Sequence, residues 1–287
     1  LHGVEGVDRG ADEGGAVRMT RLLLIRHGQT TSNVSHSLDT NLPGAALTEL
    51  GRSQAYAAGE LIAGEYGAQD ASGVGLTLAS SQALRAQQTA KGIVEGAAGA
   101  GLVLPTPDAW PGISEIPAGD YEMRSDPEAQ YNYHRFFGEW LGGSLDLAMP
   151  GALTGREVVS RYLDTLLPQL VTAQSTGSDL AVVSHGAVIR LVAGFLGRVE
   201  PEWAVRSLLP NTSRVELEVP ELGPGASLPS TALPTLPTTD APMLHTAAWV
   251  PEKDVASRFV GETLTDVISA GWKVTEWGGH GEPPRLT

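Results

Sequence analysis

Two histidines in this chain each close an apolar run and each precede a glycine: Leu22-Leu23-Leu24-Ile25-Arg26-His27-Gly28 and Leu180-Ala181-Val182-Val183-Ser184-His185-Gly186. A third apolar run ends in Ser80-Ser81-Gln82 and leads to Arg85. An imidazole can act as nucleophile or acid–base group near neutral pH, and Arg26 beside His27 disfavours a second ring proton, keeping the nucleophilic form. Arginine binds two oxygens of a tetrahedral oxyanion through one planar fork and keeps its charge. Two histidines and two arginines brought together make an anion site with a nucleophile inside it. Phosphate fits all of these features.

For these residues to meet, three strands must end on the same edge of one sheet. Runs of four or five aliphatics predict strands covered on both faces, and the loops after their carboxyl ends are where open α/β sheets hold ligands. A helix over Ala187 to Leu196, starting just after His185-Gly186, would add its amino-terminal dipole and backbone donors to the anion. Thr31 to Ala46 is a turn-rich loop long enough to line the site, and a helix follows from Leu47 with Leu50, Ala57, Leu61 and Ile62 on one side. Gly75 to Ser80 reads as the second strand, and Arg85 opens the next helix.

Leu102-Val103-Leu104 reads as a third strand, after which Pro105, Pro107, Pro111 and Pro117 disfavour regular structure around Glu115. Residues 112–150 form a lid-like excursion. Within it a helix over Asp126 to Trp140 carries Tyr131, Tyr133, Phe136, Phe137 and Trp140, which serve equally well as a lid or as a small core. Thr154-x-x-Glu157 is a capping box opening a helix that Pro168 is expected to kink. Thr212 to Val219 alternates as an edge strand does. The expected organisation is a disordered extension over 1–18, a catalytic α/β domain over 19–219, a flexible Pro-rich insertion over 220–242, and a last strand with a C-terminal extension over 243–287 packed on the same domain. That last strand is placed at Leu244 to Val250, with a helix at Val255 to Ile268.

Composition narrows the partners. The 287 residues suffice for one large α/β domain, and no run of 18 apolar residues is present, so a membrane span is not expected. The chain has no cysteine, which removes disulfides, thiolate chemistry and Cys-based zinc sites and fits a reducing cytoplasm. With 33 acidic against 19 basic residues the net charge is −14, which disfavours nucleic acid and anionic membranes. An anionic substrate must then be drawn by a local cluster of arginines.

The chain resembles the histidine phosphatase superfamily, in the branch related to cofactor-dependent phosphoglycerate mutase. Leu24-Ile25-Arg26-His27-Gly28-Gln29-Thr30 matches its signature; Ser81 to Ala90 resembles its Ser-x-x-x-Arg-Ala-x-x-Thr-Ala segment; Ser184-His185-Gly186 resembles its second histidine motif; and Leu47 to Ala55 resembles its Leu-Thr-x-x-Gly-x-x-Gln-Ala. The likeness spans Arg21 to Val219. It implies a three-layer α/β/α fold with a mostly parallel central sheet, like that of phosphoglycerate mutase. It also implies His27 as nucleophile, Arg26, Arg85 and His185 as clamps on the phosphoryl oxygens, and Asn33 as a phosphate contact. Gln29, Thr30 and Gly186 complete the phosphate-binding set, Gln29 or Thr30 by supporting the loop. Glu115 takes the place of the family's proton donor, with Glu122 as competitor in the same segment. The sequence departs from the family pattern at Gln82, where proline is common, and at Pro150-Gly151-Ala152-Leu153, which lacks a Glu-Ser.

The activity expected is metal-independent hydrolysis of a small phosphorylated metabolite through a phosphohistidine, with no cofactor. The alternatives are a phosphoglycerate mutase, which would need a bisphosphoglycerate primer, and a non-catalytic phospholigand-binding protein. A homodimer is compatible with the sequence.

Overall fold

The computed structural model describes residues 19–67, 75–222 and 271–286. A six-stranded sheet forms the middle layer, in the order β3-β2-β4-β1-β5-β6. The strands are β1 (Arg21–Arg26), β2 (Leu76–Ser81), β3 (Asp108–Trp110), β4 (Asp179–Ser184), β5 (Arg214–Glu218) and β6 (Lys273–Trp277). β4 pairs in parallel with β1 and β2, β3 pairs in parallel with β2, and β5 runs antiparallel to both β1 and β6. The sheet is mostly parallel, as expected, with helices on both faces.

The unbroken aliphatic runs follow from this layering, because successive side chains of a strand point to opposite faces and here both faces are dry. Leu22, Leu24, Leu180 and Val182 pack with α4 (Pro127–Leu141), α5 (Gly155–Thr176) and α6 (Gly186–Leu196). Leu23, Ile25, Ala181 and Val183 pack with α2 (Glu49–Gly67) and α3 (Leu84–Gly99). Two further helices are short: α1 (Thr31–Ser35), which follows the carboxyl end of β1, and α7 (Pro201–Arg206), which packs on α4 and α6. At the other edge Asp179, fully buried, accepts hydrogen bonds from Arg21 N (2.8 Å), Arg21 Nε (3.0 Å) and Tyr66 Oη (2.8 Å).

Several elements depart from the sequence-based expectation. Leu102–Leu104 is no strand. Leu102 N instead donates to Ala97 O at 2.9 Å and closes the end of α3, Val103 is 86% exposed, and the outer strand is Asp108–Trp110. β5 is not an edge, because β6 from the unassigned tail pairs beyond it and buries Val274 and Trp277. α2 does not bury Leu50 or Leu61, which are 53% and 73% exposed; its packed face is Gly51, Ala55, Ala58, Gly59, Ile62, Ala63 and Tyr66. The cause is close helix contact. A Cβ on Gly59 would lie 2.1 Å from Ile93 O, and one on Gly96 would lie 2.0 Å from Tyr56 O.

The aromatic residues of 126–140 act as core rather than as a separate patch: Tyr133, Phe136, Phe137 and Trp140 are buried in the cluster shared with α6, while Tyr131 is exposed. The capping box at Thr154 and Glu157 forms, and α5 runs through Pro168 to Thr176 as one helix. At the start of the Pro-rich tract, Gln174 accepts from Leu222 N and donates to Pro220 O. The extension 1–18, most of the tract, the strand at Leu244 to Val250 and the helix at Val255 to Ile268 lie outside the described residues.

Candidate active site

The carboxyl ends of β1, β4 and β2 are neighbours in the sheet, so Arg26-His27, Ser184-His185 and Ser81 reach one place. The rings of His27 and His185 stand edge to face with centroids 5.3 Å apart. Arg85, on the first turn of α3, donates from Nε to His185 Nδ1 at 3.2 Å.

Hydrogen-bond partners fix both tautomers. His27 Nδ1 lies 2.8 Å from Gly28 O, and a carbonyl can only accept, so Nδ1 carries the proton and Nε2 keeps its lone pair. A guanidinium can only donate, so His185 Nδ1 is unprotonated and its Nε2–H donates to Ser81 Oγ at 2.8 Å. Burial, and next to it the charges of Arg85 and Arg26, hold the His27 pKa well below 6.5. His185 is lowered in the same direction, by burial first and Arg85 second. Both rings are neutral near neutral pH. Since both nitrogens of His185 are engaged, it can donate to a phosphoryl oxygen only by releasing Ser81.

Two guanidinium groups carry donors that no described residue satisfies. Arg26 Nε and Arg85 Nη1 are buried without a hydrogen-bond partner among the described residues. An unmade buried hydrogen bond is costly, so such donors mark a place for an anion. Burial lowers the pKa of both arginines, and Glu115 opposes that for each. Gly186 clears room for Arg26, since a Cβ there would lie 3.2 Å from Arg26 Nε. Gly44, at φ +70°, does the same for Arg85, whose Nη1 would lie 2.2 Å from a Cβ.

Glu115 lies at the amino terminus of α6, accepting from Val188 N (2.8 Å), Ala187 N (3.1 Å) and its neighbour Ile116 N (2.9 Å). The helix donors expected to meet the anion are therefore held by this carboxylate. Its rival Glu122 is committed elsewhere, to Thr40 N (2.8 Å), Asn41 N (2.9 Å) and the Thr40 hydroxyl. Thr30 caps α1, accepting from Asn33 N, while Asn33 Oδ1 accepts in return from Thr30 N at 3.1 Å. Gln29 turns toward the scaffold, its Oε1 accepting from Thr48 Oγ1 at 2.9 Å.

The remaining motifs hold the first loop in place. Thr48 N donates to Gln29 O, Gln54 Oε1 accepts from Gln29 N, and Thr89 Oγ1 accepts from Gly28 N. Gly28 and Gly51 let the two segments touch: a Cβ on Gly51 would stand 2.1 Å from Gln29 O, and one on Gly28 would stand 2.5 Å from Gly51 O. Sequence reasoning missed Asn211, whose Nδ2 donates to His27 O at 3.0 Å and to Asn33 Oδ1 at 3.3 Å. It also passed over Arg190, which lies buried over Phe137 and donates to the carbonyls of Gly186, Ala204 and Val205. Asn211 sits before a strand in an Asn-Thr-Ser turn, where asparagine is ordinary, so nothing local singles it out. Among the described residues no group of three or more His, Asp or Glu side chains is arranged to hold a metal. Nor is any described helix long and apolar enough to cross a membrane.

A neutral histidine near under-satisfied arginines, at the carboxyl edge of a mostly parallel α/β sheet, is an arrangement chemically suited to a tetrahedral oxyanion. Residues 22–228 match the histidine phosphatase superfamily (branch 1), and the chain belongs to that family. A 2,3-bisphosphoglycerate-dependent phosphoglycerate mutase of Azorhizobium caulinodans is 30% identical over 64% of this chain and 85% of its own length. A glucosyl-3-phosphoglycerate phosphatase of Mycolicibacterium vanbaalenii is 29% identical over 70% of this chain and 85% of its own. Among solved structures, a mycobacterial glucosyl-3-phosphoglycerate phosphatase superposes with a TM-score of 0.52 at 25% identity, covering 70% of this chain and 90% of that one. A protein described as mycobacterial hydrolase 2 shares the fold, with a TM-score of 0.59 at 21% identity over 94% of both chains.

Proposed function

We propose that the protein is a phosphomonoester hydrolase that acts on a small phosphorylated metabolite through a phosphohistidine at His27. The observation that carries this reading is the His27 tautomer: Nδ1 is tied to Gly28 O, which leaves the Nε2 lone pair on a ring that feels the charges of Arg85 and Arg26, each with a buried, unpartnered donor. In the first step Nε2 attacks phosphorus, the P–O ester bond breaks, and Glu115 gives a proton to the leaving oxygen. In the second step Glu115 takes a proton from water, the oxygen attacks phosphorus, and the P–N bond breaks to release phosphate. Arg26 and Arg85 hold the phosphoryl oxygens throughout, and positioning with charge stabilisation supplies most of the rate in such transfers. That charge comes from the chain's own side chains, so no metal or cofactor is required, and the absence of cysteine fits a cytoplasmic enzyme.

Mutase relatives make isomerisation the second reading. A mutase must retain a bisphosphate, which calls for further free cations around the pocket. In residues 116–150 the arginines are Arg124 and Arg135; Arg124 is paired with Asp126 and Glu128, and Arg135 lies over the Phe136 ring. Hydrolysis is therefore favoured. The test supplies 3-phosphoglycerate with and without 2,3-bisphosphoglycerate, and p-nitrophenyl phosphate with and without a chelator. Phosphate release that ignores both primer and chelator is expected. Primer-dependent isomerisation outpacing phosphate release would overturn the reading, and p-nitrophenyl phosphate turnover undiminished in His27→Ala would remove the nucleophile.

A further inference from the structure

We infer that Asn211 is a positioning residue of the phosphoryl site, fixing both the main chain of the nucleophile and the amide orientation of Asn33; this rests on the function proposed above. Asn211 belongs to the segment between α7 and β5 that wraps the end of β1. Arg26 N donates to Ser213 O and Thr212 N to Arg26 O, each at 3.0 Å, while the Arg26 guanidinium donates to Leu209 O. The chain turns sharply at Thr212, φ +61°, directly after Asn211. The segment thus grips Arg26 by its backbone and its side chain, and Asn211 extends the grip one residue further.

The geometry around the Asn211 amide is specific. Its Nδ2 has two hydrogens and two acceptors, His27 O at 3.0 Å and Asn33 Oδ1 at 3.3 Å. Asn33 Oδ1 also accepts from Thr30 N at 3.1 Å, so two donors converge on that oxygen. A side-chain amide so bound cannot flip without setting donor against donor. The Asn33 Nδ2 group is then turned away from both, and its hydrogens remain for a phosphoryl oxygen. The same contact anchors the peptide of His27, whose ring is oriented through the next carbonyl, Gly28 O. One residue remote in sequence therefore sets a candidate phosphate donor and the nucleophile's backbone together.

Isosteric Asn211→Asp would set a carboxylate against two acceptor oxygens, and Asn211→Ala would leave both without this donor. For Asn211→Ala we expect kcat/KM for p-nitrophenyl phosphate to fall by about tenfold to hundredfold, as small misplacements in preorganised sites do. Orthovanadate affinity, read by calorimetry, should weaken in parallel, and Asn211→Asp should be worse than Ala in both. The decisive readout is a double-mutant cycle with Asn33→Ala, in which the combined loss should fall clearly short of the product of the two single losses. Asn211→Ser, which keeps one donor on a shorter side chain, supplies the same cycle if the alanine variant accumulates poorly. Multiplicative losses, or wild-type kcat/KM and vanadate affinity in Asn211→Ala, would overturn the inference. A wild-type protein that binds vanadate yet releases no phosphate would count against the proposed hydrolysis alone, and the vanadate cycle would still judge Asn211.

Discussion

Acidification should destabilise this protein through its two site histidines, in a direction set by their burial. His27 is 5% and His185 0% exposed, and both titrate well below 6.5, with burial the leading cause and Arg85 the next. In the unfolded chain the same rings titrate near their ordinary value. The folded pKa is the depressed one, so the stabilisation is full above pH 6.5 and is lost as pH falls below it, until the buried rings themselves titrate. Between about pH 7 and about pH 5.5 the unfolded-state titration sets an upper bound of about 1 kcal/mol per histidine, and of about 2 kcal/mol for the pair, reached when neither folded ring takes a proton. Carboxylates titrate over the same interval, so the quantity to compare is a difference between variants. Urea unfolding of the wild type, His27→Gln and His27→Gln/His185→Gln at both pH values supplies it. The wild type should lose more than the double variant, by up to about 2 kcal/mol, with the single variant in between. Equal losses in all three would refute the claim that these rings are held neutral by burial.

Three further perturbations read other parts of the molecule. Gly51→Ala places a Cβ 2.1 Å from Gln29 O and should cost about 1–3 kcal/mol in urea unfolding while lowering kcat, since the displaced loop carries His27. Glu115→Gln should slow hydrolysis of an alkyl phosphate by about a hundredfold or more, and that of p-nitrophenyl phosphate far less, because nitrophenolate leaves without a proton; steady-state rates on the two substrates check this. Trp277→Ala should lower unfolding free energy by about 3–5 kcal/mol, because the fully buried indole joins β6 to the core and donates to Ser207 O at 3.0 Å.

What the sequence disclosed depended on whether a residue's role leaves a local trace. β1 and β4 were legible because a strand covered on both faces needs an unbroken aliphatic run, and the polar residues that end the run mark the catalytic edge. The capping box at Thr154 and Glu157 was legible because its partners are three residues apart. The packed face of α2 is hidden in the sequence because the helix contact selects glycine and alanine, while Leu50 and Leu61, the residues that look like core, face solvent. Leu102–Leu104 imitates a strand in composition but serves as a helix end. β6 is illegible in the sequence because a five-residue strand flanked by glycines has no pattern of its own until β5 is there to pair with it. Thr30 and Gln29 support the first loop, as expected of one or the other: Thr30 caps α1 and Gln29 Oε1 accepts from Thr48. Asn211 acts on residues 184 and 178 positions away, and no local pattern records such a contact.

The central claim is that His27 Nε2 takes the phosphoryl group, and rapid quenching of the enzyme with labelled p-nitrophenyl phosphate tests it most directly. An acid-labile, base-stable phosphoramidate should appear within a single turnover, map to the peptide containing His27, and be absent in His27→Ala. Label on another residue, or turnover with no protein-bound phosphate and inversion at phosphorus in the released product, would contradict it.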